Sequence, residues 1–161
     1  MSALQDRAAC PDCGGTYALT KSGDLRRHAC IRTPDSILIP LPWPTPPISP
    51  NDRQHWATKA RATAQTKTEA RWAIRAAKVE PIVGCEVTLH WRVPDHRRRD
   101  ADNLAATKKA VTDALVAEGV LPDDSWVHVI ASTERIHPPV PKMPGAMWLE
   151  LGAVVRFEET A

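Results

Sequence analysis

One stretch of the chain alternates apolar and polar residues over nine positions: Cys85-Glu86-Val87-Thr88-Leu89-His90-Trp91-Arg92-Val93. Successive side chains of a β-strand point to opposite faces of the sheet, so this period of two predicts a strand with one buried face. A charged linker, residues 94–103, follows the strand. Residues 104–118 are helical in composition, and Gly119 suits the position just after a helix. This order predicts a domain that mixes strands and helices.

Three further strands and a second helix are predicted around this unit. Residues 36–41 form a short apolar run in which Pro40 favours the edge of a sheet or a strand end. Residues 127–132 and 148–157 are typical of strands, and a Pro-rich loop separates them. Residues 51–78 lack Pro and Gly and predict one long helix or two shorter ones. The predicted fold class is therefore α/β (α+β): a small mixed sheet of about four strands with helices packed on it.

Length and composition limit the domain organisation. The 161 residues suffice for one compact domain with a small appendage, and 43% apolar against 25% charged residues is ordinary globular composition. No run approaches the roughly 18 apolar residues that cross a bilayer, and the N-terminus has no apolar signal-peptide region. We therefore expect neither secretion nor membrane insertion.

The first 33 residues contain a cysteine pattern typical of a zinc site. Cys10 and Cys13 are spaced C-x₂-C, and His28 and Cys30 follow after fourteen intervening residues. Three thiolates and one imidazole are ligands that Zn²⁺ takes tetrahedrally, and so short a segment would need the metal to fold. Residues 1–33 are predicted to be a zinc-binding, finger-like module, and residues 34–161 the main domain. The alternative is a disordered tail with coincidental cysteines.

Charge is distributed unevenly along the chain. The net charge is only +2, yet residues 51–78 hold seven basic side chains against two acidic ones. The linker contains three arginines, Arg97 to Arg99, followed by Asp100 and Asp102. In an extended chain these two carboxylates project to the same side, where a hard cation such as Mg²⁺ would relieve their repulsion, while guanidiniums bind phosphate. The alternative is that the aspartates pair with the arginines and cap the next helix.

Several separate motifs resemble one family, the RusA-like Holliday junction resolvases, which are endodeoxyribonucleases of phages and prophages. The matching residues are Leu41-Pro42-Trp43-Pro44, Trp91-Arg92-Val93-Pro94-Asp95, Arg97 through Leu104, Thr112-Asp113-Ala114-Leu115, and Gly119 through Asp123-Asp124. The resemblance covers about residues 36–158. It implies a small RusA-like fold, a homodimer, and Mg²⁺-dependent resolution of four-way DNA junctions by paired symmetric nicks, in the cytoplasm of a bacterial host.

The resemblance also implies roles for individual residues. Asp100, Asp102 and Asp124 match the metal-binding aspartates of the family, with Mg²⁺ as the metal and Mn²⁺ as a substitute; the number of metals stays open. A functional lysine corresponds to Lys109 when counted back from Asp113, but to Ala106 when counted forward from Asn103. Lys108 is the rival for that role. The predicted DNA contacts are Arg97, Arg98, Arg99 and Lys108.

Two questions stay open at this level, the chain from which Asp124 acts and the kind of DNA substrate. A fully helical 103–118 would carry the chain about 24 Å away, and residues 119–124 return at most about 21 Å, so Asp124 acts within its own chain only if the helix begins later. The alternative is that Asp124 acts across the dimer. The alternative functions are a nuclease for other branched or flapped DNA, or a noncatalytic zinc-finger DNA-binding protein.

Among the tryptophans, Trp72, Trp91, Trp126 and Trp148 are predicted to be core, and Trp56 to face DNA.

Overall fold

A computed structural model describes residues 7–9, 16–18, 36–48 and 55–157 of the chain. The chain divides into two compact units, Met1–Asp35 and Ser36–Ala161. The described part of the first unit is an antiparallel pair of short strands, β1 (Arg7–Ala9) and β2 (Thr16–Ala18), with Ala8 opposite Tyr17. The predicted zinc ligands Cys10, Cys13, His28 and Cys30 lie outside the described residues.

The second unit contains four strands and two helices. In chain order they are β3 (Ile37–Leu41), α1 (Trp56–Ala76), β4 (Gly84–Arg92), α2 (Ala105–Ala117), β5 (Val129–His137) and β6 (Ala146–Val155). The strands form one sheet in the order β3-β6-β4-β5. β4 and β5 run parallel, whereas β6 is antiparallel to both β3 and β4. The prediction of a mixed sheet of about four strands with helices is confirmed.

β4 lies inside the sheet because its alternating sequence suits a strand with two different faces. Val87 and Leu89 are fully buried, whereas Glu86 between its neighbours is exposed. Parallel strands such as β4 and β5 cannot be joined by a tight turn, and α2 lies in the connection between them. β3 lies at an edge of the sheet, as Pro40 predicted, because proline cannot donate a hydrogen bond to a further strand.

The core forms where the helices meet one face of the sheet. Ile74 of α1 and Leu115 of α2 join the same buried cluster as Leu89 of β4 and Leu149 of β6. Burial of such side chains stabilises the fold by about 1.5–3 kcal/mol each. Cys85 is fully buried within this cluster, as an apolar residue would be. α2 ends at Ala117, and Gly119 follows with a φ of 73°, a left-handed conformation that favours glycine after a helix.

Several sequence predictions are wrong in detail. β5 extends to His137, five residues beyond its predicted end, and β6 begins at Ala146, two residues earlier than predicted. Trp72 and Trp126 were expected in the core, but they are 63% and 85% exposed. Trp91 is buried as predicted. These tryptophans differ because their exposure depends on which elements cover each position, and a single side chain does not reveal that.

No helix in the described part of the chain is both long enough and apolar enough to cross a bilayer.

Candidate active site

The segment after β4 is fixed by two of its own charged residues. The Arg99 guanidinium lies 5.1 Å from the ring centre of Trp91 and 2.7 Å from the Asp95 carboxylate. It also donates hydrogen bonds to the carbonyl oxygens of Asp95 and Arg97. The backbone N–H of Arg97 donates to Asp95 Oδ1 at 2.9 Å, and this bond, followed by that from Arg99, lowers the pKa of Asp95. Arg99 therefore holds the loop in place and has little surface left for DNA, with 16% of its side chain exposed.

Asp100 and Asp102 are exposed at the start of the helical region. Asp100 is extended, with φ −96° and ψ 140°, and precedes a 3₁₀ turn, Ala101–Leu104, that contains Asp102. The argument from side-chain spacing assumed an extended chain through both aspartates. The structure differs, because only Asp100 is extended and Asp102 lies in the 3₁₀ turn. The Asp100 side chain makes no capping hydrogen bond. Within the described residues, neither carboxylate pairs with an arginine, because Arg97 and Arg99 pair with Asp95 instead.

Asp100 occupies the N-cap position that the alternative interpretation expected, but its side chain does not cap the helix, and within the described residues neither aspartate pairs with an arginine. Two exposed carboxylates next to a helix start keep their full acceptor capacity. Such carboxylates suit Mg²⁺, which is commonly held by one or two of them together with water and phosphate oxygens. By donor chemistry, Asp100 and Asp102 fit this ion.

Lys109 and Asp124 are brought together within one chain. Lys109 Nζ lies 2.5 Å from Asp124 Oδ2 and 2.5 Å from Asp113 Oδ1, one turn along α2. Lys67 of α1 contacts the other oxygen of Asp113, also at 2.5 Å. Hydrogen bonds to Asp113 and then to Asp124 raise the pKa of Lys109. The bond from Lys109 lowers the pKa of Asp124, so this cluster stays charged at neutral pH.

The turn that follows α2 distinguishes its two acidic residues. The Asp123 carboxylate accepts a hydrogen bond from the Asp124 backbone N–H at 2.5 Å, which ties Asp123 to the turn itself. The Asp124 carboxylate instead points to Lys109. The α-helix begins at Ala105, after the 3₁₀ turn, and its 13 residues span only about 20 Å. The turn after α2 returns as far as Lys109, the fifth residue of α2, and the contact formed there does not extend to Asp102 at the start of the helical region.

The two neighbouring lysines have different surroundings. Lys108 Nζ lies 2.5 Å from Glu134 of β5, and only 16% of the Lys108 side chain is exposed. Lys109 is 63% exposed and faces Asp124. The predicted DNA contact at Lys108 is thus committed to an ion pair with the sheet. Lys109 is the lysine whose ammonium lies beside a predicted site carboxylate.

The predicted aspartate triad is not assembled as a metal cage. In residues 7–9, 16–18, 36–48 and 55–157, no three His, Cys, Asp or Glu side chains lie close enough together to hold a metal ion. The Lys109 ammonium occupies the position beside the Asp124 carboxylate that a bound metal ion would have to take. The structure thus brings together Lys109 and Asp124, but it does not gather Asp124 with Asp100 and Asp102.

A polar cluster on the sheet was missed by sequence reasoning. His90 Nδ1 lies 2.8 Å from His137 Nε2, and His90 Nε2 lies 2.9 Å from Glu150 Oε2. Trp148 stacks on both imidazoles, with ring centres about 5 Å apart. Burial, and then Arg135, lowers the pKa of His90 to about 4, so neutral His90 donates to Glu150 and accepts from His137. These residues are far apart in sequence, and no local pattern predicts their contact.

Comparison with known proteins identifies the family. The family model described as Endodeoxyribonuclease RusA matches residues 44–142, which is more than half of the chain and includes the linker, α2 and the Asp123-Asp124 turn. No curated protein matches the chain. The exposed aspartates after β4, the helix with Lys109 and the turn with Asp124 all lie within the matched region. The chain belongs to the RusA family of endodeoxyribonucleases, which resolve Holliday junctions.

Proposed function

We propose that this protein is a Mg²⁺-dependent endodeoxyribonuclease that resolves four-way DNA junctions by paired symmetric nicks. The observation that carries the proposal is that Asp100 and Asp102 are exposed without a partner among the described residues, although three arginines precede them. A DNA-binding protein that used these aspartates only to neutralise arginine charge would pair the aspartates with the arginines. Free carboxylates beside arginines suit a site that takes both a cation and a phosphodiester.

Asp100 and Asp102 would hold the metal, and Asp124 is the third ligand that the family resemblance implies. Mg²⁺ bound there would polarise the scissile phosphate and lower the pKa of the attacking water. Lys109 supplies the second positive charge. Its ammonium is exposed and fixed by Asp113, so it can stabilise negative charge that develops on the phosphoryl oxygens.

The arginines divide into two roles. Arg97 is 86% exposed, and its ion pair with Asp95 is long, at 3.9 Å. Arg98 is exposed as well. These two guanidiniums are placed to bind flanking phosphates, which gives affinity with little sequence information. Arg99 positions the loop that carries Asp100.

Two symmetric cuts require two active sites, which supports the proposal of a homodimer. The bacterial cytoplasm is the proposed location because phage DNA recombines there.

Zinc binding at Cys10, Cys13, His28 and Cys30 remains part of the proposal. It rests on the sequence spacing of three cysteines and one histidine, the ligand types that Zn²⁺ takes. Metal analysis of the purified full chain should find about one zinc per chain, lost in Cys13→Ser; a metal-free wild-type chain would refute the module.

Cleavage of a labelled synthetic four-way junction tests the nuclease. Linear duplex and flap DNA serve as competitors, each with and without Mg²⁺, for the wild type and Asp100→Asn. We expect paired symmetric nicks on the junction alone, absent without metal and absent in the variant. Preferential flap cutting would show a nuclease for other branched DNA. Tight binding with no cutting in Mg²⁺ or Mn²⁺ would show a noncatalytic DNA-binding protein.

A further inference from the structure

A shallow groove of about 430 Å³ runs along the first three turns of α1. The residues that line it share one face of the helix, at spacings of three and four: Trp56, Lys59, Ala60, Thr63, Ala64 and Lys67. Small side chains form its floor, an indole stands at one end and lysines flank it. Trp56 is 76% exposed, so most of its ring is available to a partner that lies in the groove.

The free charge on this part of α1 is positive. The first turn contains no acidic residue. Glu69, the acidic residue of α1, is engaged by hydrogen bonds from Trp43 and Gln65. No carboxylate of the described chain pairs with Lys59, in contrast to Arg71 and Arg75, which both pair with Glu118. An unpaired ammonium beside an exposed indole suits an anionic partner with an apolar face.

Lys67 links the groove to the candidate active site through ion pairs. Lys67 at its far end contacts Asp113, which contacts Lys109, which contacts Asp124, and each of these contacts is 2.5 Å long. A polyanion that lies along the groove and reaches Lys109 from this side meets Lys59 first and then Lys67. DNA is such a polyanion, because its phosphates repeat along the strand.

We infer that one strand of a junction arm lies in this groove, with a phosphate on Lys59 and a deoxyribose against the Trp56 ring. The inference rests on the proposed function, because it assigns the path by which that substrate reaches Lys109. Ala60 and Ala64 let the strand approach the helix closely. The groove contains no residue of the arginine linker, so it is a second, separate contact surface for the substrate.

Salt-dependent binding of a labelled four-way junction tests the role of Lys59. Binding is measured between 50 and 200 mM KCl on the uncut junction, in the full chain carrying Asp102→Asn. One lost phosphate contact lowers the slope of log K against log salt by about 0.9. Because the proposed homodimer carries two copies of the groove, we expect a change of about 1.8 in Lys59→Ala, a larger loss of affinity in Lys59→Glu, and recovery in Lys59→Arg. Arg61→Ala is the matched control, because Arg61 is an exposed cation of the same helix outside the groove.

Trp56→Ala gives an independent readout. Loss of an apolar contact releases no counterion, so affinity should fall severalfold while the salt slope stays that of the parent. Trp72→Ala, an exposed indole farther along α1, should leave both quantities unchanged. Circular dichroism of each variant checks that the helix is intact. Lys67 is left unchanged, because its replacement would also disturb Asp113.

The outcomes separate the inference from the proposed function. If the wild type resolves junctions but Lys59→Ala, Lys59→Glu and Trp56→Ala bind like Arg61→Ala, the groove is not the DNA path. If these variants lose affinity as expected but the wild type never cuts, the groove binds DNA and the nuclease assignment fails.

Discussion

The acidic linker after β4 and the acidic turn after α2 contain the same kind of side chain in opposite electrostatic settings. In the linker, Arg97 and Arg99 pair with Asp95 and leave Asp100 and Asp102 exposed, without a described partner. In the turn, Asp124 is held by Lys109, which also contacts Asp113. Each region contains three acidic groups if Asp113 is counted with the turn, yet only the linker leaves two of them available.

The difference shows that neighbours in sequence do not determine which charges pair. Asp100 directly follows Arg99, but the Arg99 guanidinium folds back over Trp91 to reach Asp95. Lys109 and Asp124 are fifteen residues apart and form a contact. A free carboxylate can bind a cation directly. Asp124 must first lose its ion pair with the Lys109 ammonium before it can ligate a metal. The linker is therefore the expected entry point for the metal.

The largest expected effect is at the free carboxylates. Asp102→Asn removes a proposed metal ligand, and a metal supplies several kcal/mol of transition-state stabilisation, so junction cleavage should fall by about 10³-fold with the melting temperature unchanged. Asp95→Asn is the matched control, because Asp95 already has partners. It should lower the melting temperature and, because it loosens the loop without removing a proposed ligand, reduce cleavage far less than Asp102→Asn does. Equal losses of activity in both variants would remove the distinction between free and paired aspartates.

The second-largest expected effect distinguishes the role of Lys109 from that of Lys108. Lys109→Ala should slow cleavage of bound junction by about 10²-fold, as removal of one charge-stabilising donor does. Lys108→Ala should leave the cleavage rate close to that of the wild type and destabilise the domain by about 1 kcal/mol, because Glu134 loses its ion pair. Single-turnover cleavage and urea unfolding measure the two quantities. The reverse pattern would assign the functional role to Lys108.

A smaller effect distinguishes arginines that bind DNA from one that holds the loop. Arg98→Ala should lower the magnitude of the salt slope of junction binding by about 0.9 for each subunit of the proposed homodimer, without changing the melting temperature. Arg99→Ala removes the contact with the Trp91 ring, worth about 0.5–1 kcal/mol, together with the Asp95 ion pair. Arg99→Ala should lower the melting temperature. It should also reduce the cleavage rate by a larger factor than it reduces the affinity for the junction. A slope change in Arg99→Ala equal to that in Arg98→Ala would contradict this division.

The smallest effect is the titration of Asp124. The Lys109 hydrogen bond lowers the pKa of Asp124, so the stability that this contact contributes is present above the unfolded pKa and is lost as pH falls through the folded value. Carbon-13 NMR of the side chain should show a pKa below the ordinary aspartate range. Lys109→Gln should raise that pKa. An unchanged value would mean that the contact does not persist in solution.

Much of the fold could be predicted from local sequence, because local sterics and hydrophobic period act over a few residues. The alternation in 85–93 predicted β4, Pro40 predicted an edge strand, and Gly119 predicted the end of α2. The ends of β5 and β6 were wrong, because pairing with β4 carries both strands past their most apolar residues.

The candidate site was only partly predictable for the same reason. Sequence motifs supplied the residue types and, through the family resemblance, the proposed site residues Asp100, Asp102, Asp124 and Lys109. They did not show the Lys109–Asp124 contact, the engagement of Lys108 by Glu134, or the groove that joins Trp56 to Lys67. Each of these joins elements that are distant in the chain.

The sequence by itself determined the elements, the family and the chemical types at the site, because propensity, hydrophobic alternation and motif spacing are local properties. Only the tertiary structure decided which charges are neutralised and which remain exposed. Pairing depends on the packing of α1, α2 and the sheet, which sets the distances between side chains, and electrostatic attraction falls with distance. That packing holds Lys108 at Glu134, places Lys109 beside Asp124, and leaves Asp100 and Asp102 open to solvent.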